Sequence, residues 1–218
     1  MNVSDYNIWY FDCDGVLLDS NRLKTKVFYE VALPYGEENA KALQSYHEKL
    51  GGISRFEKFQ YFFEVMLGKK SYQYEYENAL EQFGVLTKEK MATCDETVGL
   101  RDLLEKLNSL TNCYVVSGGA QDELRDVFKI RQLAGYFTGI YGSPDNKLEI
   151  LERIHRGTHE KNAVFVGDSR YDYEAASSYG IDFIFMTDYT EFEDWPEYFQ
   201  NKSEVKIINN LAEIGAEL

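Results

Sequence analysis

Two aspartates stand two residues apart in Phe11-Asp12-Cys13-Asp14-Gly15-Val16, directly after an apolar run that ends at Phe11. A carboxylate pair of this kind can divide nucleophilic and acid–base work, or can hold a hard cation through oxygen. It can also do no more than open a turn, which Asp-x-Asp-Gly does readily. A calcium loop is excluded by spacing, because that loop needs a third oxygen ligand before a glycine in sixth place, and Gly15 is only fourth from Asp12. Further on, Ser117-Gly118-Gly119 offers a hydroxyl and flexible backbone N–H groups that suit an anion, although such a triplet is also an ordinary strand-to-helix loop. Gly142-Ser143-Pro144-Asp145-Asn146-Lys147 brings a lysine to a helix start, where a lone lysine is usually just solvated. Gly167-Asp168-Ser169-Arg170-Tyr171-Asp172 adds two carboxylates four residues apart, either of which could simply cap a helix.

The elements that must position these groups read as alternating strands and helices. Short apolar runs at residues 6–11, 113–116, 138–141, 163–166, 182–186 and 205–208 are strand candidates, and Leu100, Leu103, Leu104 and Leu107 recur at helical spacing, as do Leu148, Ile150, Leu151 and Ile154. Strands apolar on both faces and separated by helices predict an α/β fold, a Rossmann-like parallel sheet sandwiched by helices. Each of the four chemical motifs then falls at the carboxyl end of a strand, where such sheets gather ligands. The stretch 21–95 breaks the rhythm and reads as a helical insert. In it Phe56, Phe59, Phe63 and Leu67 share one helical face, and Gly51-Gly52 parts that helix from one ending near Leu50. Tyr72, Tyr74 and Tyr76 alternate like a strand while Ala79, Leu80 and Phe83 continue as a helix, and helix is favoured.

The chain has 218 residues, and 23 Lys+Arg against 37 Asp+Glu give a formal charge of −14. That surplus would repel a nucleic-acid backbone or an anionic bilayer, so neither is expected as a partner. Three scattered cysteines, Cys13, Cys94 and Cys113, suggest neither a disulfide framework nor a zinc site, and a reducing, cytoplasmic home is expected. No export signal or membrane-length apolar run is read in the sequence. His155 and His159 stand four apart, but no glutamate follows His155 and Gly157 interrupts the helix, so a metalloprotease site is not expected. Cys13 is expected to pack beneath its loop, since flanking carboxylates disfavour a thiolate.

With DxDGV at residues 12–16, Ser117, Lys147 and GDSxxD at residues 167–172 in this order, the sequence resembles the haloacid dehalogenase superfamily, in its phosphatase and β-phosphoglucomutase-like branch with a helical cap. The resemblance implies a core of residues 1–20 and 96–218 and a cap of residues 21–95. It implies Asp12 as a nucleophile that becomes an aspartyl phosphate and Asp14 as general acid and then base. Ser117, the Gly118 amide and Lys147 would meet the oxygens of the transferring phosphoryl group. Magnesium would be held by Asp12, Asp168 and the Asp14 carbonyl, with Asp172 supporting through water. Asp14 argues against the metal-free dehalogenases and the phosphonate-cleaving members of the superfamily. Gly51-Gly52-Ile53-Ser54-Arg55 resembles the mutases' cap loop, and Arg55 would grip a phosphate or hydroxyl, or else simply face water at a helix start, with Lys58 and Lys24 as weaker candidates. Lys24 stands where the mutases carry a histidine, ten residues beyond the general acid, which weakens the mutase alternative. The leading expectation is a phosphatase for a small phosphomonoester, a sugar phosphate first among them. A catalytically silent phosphate-binding regulator is the alternative of another class. The oligomeric state is not legible.

Overall fold

The computed structural model describes residues 3–108, 111–154 and 162–218. Among these residues six strands form one sheet in the order β3-β2-β1-β4-β5-β6, and every neighbouring pair is parallel. The strands are β1 Ile8–Phe11, β2 Asn112–Ala120, β3 Gly139–Ser143, β4 Ala163–Gly167, β5 Asp182–Met186 and β6 Lys206–Ile208. β1 lies inside the sheet between β2 and β4 and is buried along its whole length. Its alternate residues feed two cores. Trp9 and Phe11 join an apolar cluster with Val115, Val166 and Ile184, whereas Ile8 and Tyr10 join another with Val116, Phe165 and Phe185. α5 Leu100–Leu107 and α6 Gln121–Ile130 cover the first face, and α7 Lys147–Ile154 with α8 Arg170–Tyr179 cover the second. This is the two-sided coverage that a parallel sheet requires.

The stretch between β1 and α5 is helical, with α1 Asn21–Ala32, α2 Glu37–Lys49, α3 Arg55–Tyr61 and α4 Gln73–Met91. These helices share a third apolar cluster built on Val27, Phe28, Leu43, Phe59, Phe63 and Phe83. The chain enters and leaves this region side by side, since Leu18 bridges Glu96 and the Asp19 amide donates to the Asp95 carbonyl at 3.0 Å.

Three local expectations need correction. α3 passes into a π-helical turn at Phe62–Met66, and the extra residue puts both Phe62 and Phe63 inside while Leu67 is only half-buried. A regular 3.6-residue period could not show that. β2 runs on through Ser117-Gly118-Gly119 to Ala120, with an irregular register against β3 between Val116 and Ala120. Its last residues pair through backbone and carry no apolar signal. β1 begins at Ile8, because Val3–Asp5 forms a 3₁₀ turn before it.

Candidate active site

Strand order brings the motifs together. Asp12 follows β1, Ser117 and Gly118 lie near the end of β2, Lys147 opens α7 after β3, and Asp168 follows β4. Because β1 sits between β2 and β4, their carboxyl ends converge. Oxygens of Asp12, Asp168 and Asp172 all lie within 4.8 Å of one another, and all three residues are buried. Lys147 Nζ stands 2.9 Å from Asp12 Oδ1 and also contacts Asp172 Oδ1, with the Phe165 ring centroid 5.6 Å away.

Asp172 owes its place to the start of α8. It forms a capping box with Ser169, and its Oδ2 accepts from the Ser169 amide at 3.1 Å, the Ser169 hydroxyl at 2.7 Å and the Asp168 amide at 3.3 Å. Both of its oxygens are thus engaged. Asp12 differs: its buried Oδ1 has the Lys147 ammonium, 2.9 Å away, as its one partner among the described residues. Asp168 Oδ2 accepts from Asn21 Nδ2 at 2.6 Å. Gly15 passes so close that a Cβ there would lie 2.3 Å from Asp168 Oδ2, and its φ is +72°. Only glycine closes the β1 loop against the β4 loop at that distance.

The Asp14 carboxylate is not one of that three-carboxylate group. Its Oδ1 accepts from the Ser20 hydroxyl and its Oδ2 from Lys24 Nζ, both at 2.5 Å. Ser117 is buried, and its Oγ accepts from the Gly119 amide at 3.2 Å. With Gly118, Lys147 and Tyr171 it lines a recess of about 10 Å³, room for about one water.

Electrostatics mark the cluster as short of positive charge. Burial pushes the Asp12 carboxyl up to about 7 against the pull of Lys147, and Asp172 and Asp14 add to the rise. Asp168 is held well above the usual carboxylate range by burial, then by Asp172 and Asp12. Burial works against the Lys147 ammonium, yet Asp12 and Asp172 keep it above its ordinary value. Three clustered carboxylates facing one lysine form an oxygen donor set suited to a hard divalent cation.

The cluster opens on a cavity of about 330 Å³. Asp12, Asp14 and Asp168 bound it from the sheet, and Lys24, His47 and Lys58 from the helical insert. Arg55 also lines it, but its guanidinium is engaged by Glu123 of α6 through two hydrogen bonds of 2.7 and 2.6 Å. The expected grip on a substrate group is therefore directed to a neighbouring helix in this structure. Asn21 and His47 escaped the sequence reading, whereas Lys24 and Lys58 entered it only as weaker candidates than Arg55. His155 and His159 lie outside the described residues. Cys13 is fully buried, and burial followed by the nearby Asp14 raises its thiol well above the ordinary range. Cys13, Cys94 and Cys113 are all free. No helix of the described residues is long and apolar enough to cross a membrane.

A family model described as haloacid dehalogenase-like hydrolase matches residues 10–186. No curated protein sequence matches the chain. Solved structures do. A predicted phosphatase from Clostridium acetobutylicum superposes with a TM-score of 0.74 at 20% identity, covering 97% of each chain. A β-phosphoglucomutase from Clostridium difficile gives 0.72 at 16% identity, covering 97% of this chain and 96% of its own. A hydrolase of the haloacid dehalogenase type from Bacillus subtilis, bound to magnesium, gives 0.63 at 18% identity, covering 96% of each.

Proposed function

Because the chain belongs to the haloacid dehalogenase-like hydrolases, we propose that it is a magnesium-dependent phosphatase that hydrolyses a small phosphomonoester metabolite through an aspartyl phosphate. The observation that carries this reading is the meeting of the buried Asp12, Asp168 and Asp172 carboxylates with Lys147 at one end of the sheet. Asp12, Asp168 and the Asp14 carbonyl would hold magnesium, with Asp172 supporting through water. When bound, the ion supplies the positive charge that lets a carboxylate approach an anionic ester.

Asp12 attacks phosphorus through a carboxylate oxygen, forming the acyl phosphate as the bond to the leaving oxygen breaks. Asp14, steadied by Ser20 and Lys24, gives its proton to that leaving oxygen. It then takes a proton from the water that attacks the phosphorus of the aspartyl phosphate, which frees inorganic phosphate and restores Asp12. Lys147, Ser117 and the Gly118 amide meet the non-bridging oxygens, and Asp172 keeps the Lys147 ammonium in place. The helices of residues 21–95 act as the cap over the core formed by residues 1–20 and 96–218, shielding the acyl phosphate from bulk water. Sugar phosphates fit a cavity of this volume, and free cysteines suit a reducing, cytoplasmic setting.

Phosphate release from a panel of sugar phosphates, nucleotides and phosphoglycolate, with and without magnesium, tests the reading. Asp12→Asn is expected to lower turnover by about a thousandfold or more, and an active Asp12→Asn protein would overturn the nucleophile assignment. The fold is shared with a phosphosugar mutase. A mutase would isomerise its substrate and need a bisphosphate activator, which product analysis separates from hydrolysis. Lys24 at its position and the engagement of Arg55 by Glu123 favour the hydrolase.

A further inference from the structure

Lys58 of α3 is 1% exposed and borders the same cavity as Asp12. Its ammonium has one hydrogen-bonding partner among the described residues, Nδ1 of His47 on α2 at 2.7 Å, and the Phe28 ring centroid lies 5.6 Å away. No carboxylate of the described residues lies within ion-pairing distance of its Nζ. The positive charges nearby are already committed, Lys24 to Asp14 and Arg55 to Glu123. Four glutamates border the cavity as well, but Glu123 is held by Arg55, Glu174 by Arg170 at 2.7 Å, Glu191 accepts from the Thr25 hydroxyl at 2.7 Å and Glu48 from the Gln44 amide at 3.3 Å. An ammonium has three N–H donors, and here a single neutral acceptor meets them. Buried positive charge is costly unless it is paired. Burial, followed by repulsion from Lys24, accordingly pushes the Lys58 ammonium down to about 7. Burial, then Lys58 and Lys24, hold His47 well below its usual range, so its ring stays neutral with Nδ1 free to accept.

We propose that Lys58, oriented by His47, is a second anion subsite on the helical wall of the cavity, and that it takes a carboxylate or a second phosphate on the leaving portion of the substrate. This rests on the phosphatase reading and narrows it: phosphorylated acids and bisphosphates are preferred over neutral sugar monophosphates. An incoming oxyanion supplies the partner that the protein withholds and keeps the ammonium charged. The same bare lysine repays a neutral hydroxyl far less, since hydrogen bonds between charged groups are the stronger ones.

The test compares kcat/KM, in magnesium buffer, for 2-phosphoglycolate, fructose 1,6-bisphosphate, glucose 6-phosphate, ethyl phosphate and p-nitrophenyl phosphate. The wild type is expected to favour the first two over the neutral esters by a factor on the order of ten to a hundred. Lys58→Met should collapse that ratio, chiefly through KM. His47→Leu, which removes the acceptor that aims Lys58, should lower it by a smaller factor, and it supplies the answer if Lys58→Met does not fold. The carboxylate and bisphosphate arms tell which oxyanion the subsite takes. Equal or better turnover of the neutral esters by the wild type, or a ratio indifferent to both variants, overturns the subsite and leaves the phosphatase standing. Failure to turn over any ester overturns the phosphatase instead. The subsite is then read from melting temperature, as stabilisation of the wild type by 2-phosphoglycolate over ethyl phosphate that Lys58→Met abolishes, and its absence refutes it.

Discussion

Residue environments decide which charges survive burial. Lys147 and Lys58 are equally buried at 1% exposure, yet Lys147 sits between Asp12 and Asp172 and stays charged, while Lys58 faces a neutral imidazole. The contrast sets a pH dependence of stability. The Lys58 ammonium is pushed from 10.5 to about 7 by burial and by Lys24, against weaker pulls from Asp14, Glu191 and Glu57. Between those two values the unfolded chain binds a proton that the folded protein does not, so stability rises with pH across the window. The gain is complete above the unfolded value and is lost as pH falls through about 7. Lys58→Met removes this contribution. Urea titrations between pH 7 and 10 should therefore show unfolding free energy climbing less steeply in the variant than in the wild type, by up to one proton. Equal slopes would mean that Lys58 keeps its charge in the folded state. Asp12, Asp168 and Lys147 are recognisable in the sequence because each sits at a fixed offset from a strand end. The pairing of Lys58 with His47 is not, because it joins α3 to α2 between residues eleven apart with no periodic or motif signature.

Elements hold the insert against the sheet at two places near the cavity. The carbonyl of Gly52 lies where a Cβ on Gly118 would come within 2.3 Å, so backbone meets backbone there and no side chain fits at residue 118. Arg55 of α3 reaches Glu123 of α6 through a bidentate pair, with side chains 10% and 32% exposed. Glu123→Ala leaves a mostly buried guanidinium without its carboxylate, a loss of about 1 to 3 kcal/mol. α3 also carries Lys58, so the same substitution should raise KM severalfold with little change in kcat. Thermal melts and steady-state kinetics check both outcomes, and a variant with wild-type KM would show that α3 needs no tether. The helices and strands themselves were legible wherever apolar spacing was regular, as in Leu100 to Leu107. Legibility failed where backbone took over. The glycine-rich end of β2 pairs without apolar side chains, and the π turn at Phe62–Met66 shifts the phase of an aromatic stripe. At Tyr72, Tyr74 and Tyr76 the favoured helix is what forms, and the strand-like alternation has another origin: α4 starts at Gln73, and Tyr74 is 80% exposed while Tyr72 and Tyr76 pack on the insert's apolar cluster.

At the scale of the whole molecule, a chain of net charge −14 folds so that three carboxylates are buried within 4.8 Å of one another. The apolar pattern specifies the sheet that brings them together, and no local propensity opposes the crowding. The metal-free fold therefore carries a repulsive centre, and a divalent cation that binds only the assembled site must stabilise the entire structure. Magnesium at about a hundred times its dissociation constant is worth about 2.7 kcal/mol, which for a chain of this length corresponds to a rise in melting temperature of roughly 5 to 10 °C. Asp168→Asn tests whether that gain arises at the cluster or from diffuse neutralisation of an acidic surface. Removing one of three clustered charges should make the metal-free variant more stable than the metal-free wild type, while its response to magnesium falls to a small fraction. Surface screening predicts a different pair of results, with near-equal metal-free stabilities and near-equal gains, so two melting curves for each protein discriminate between them.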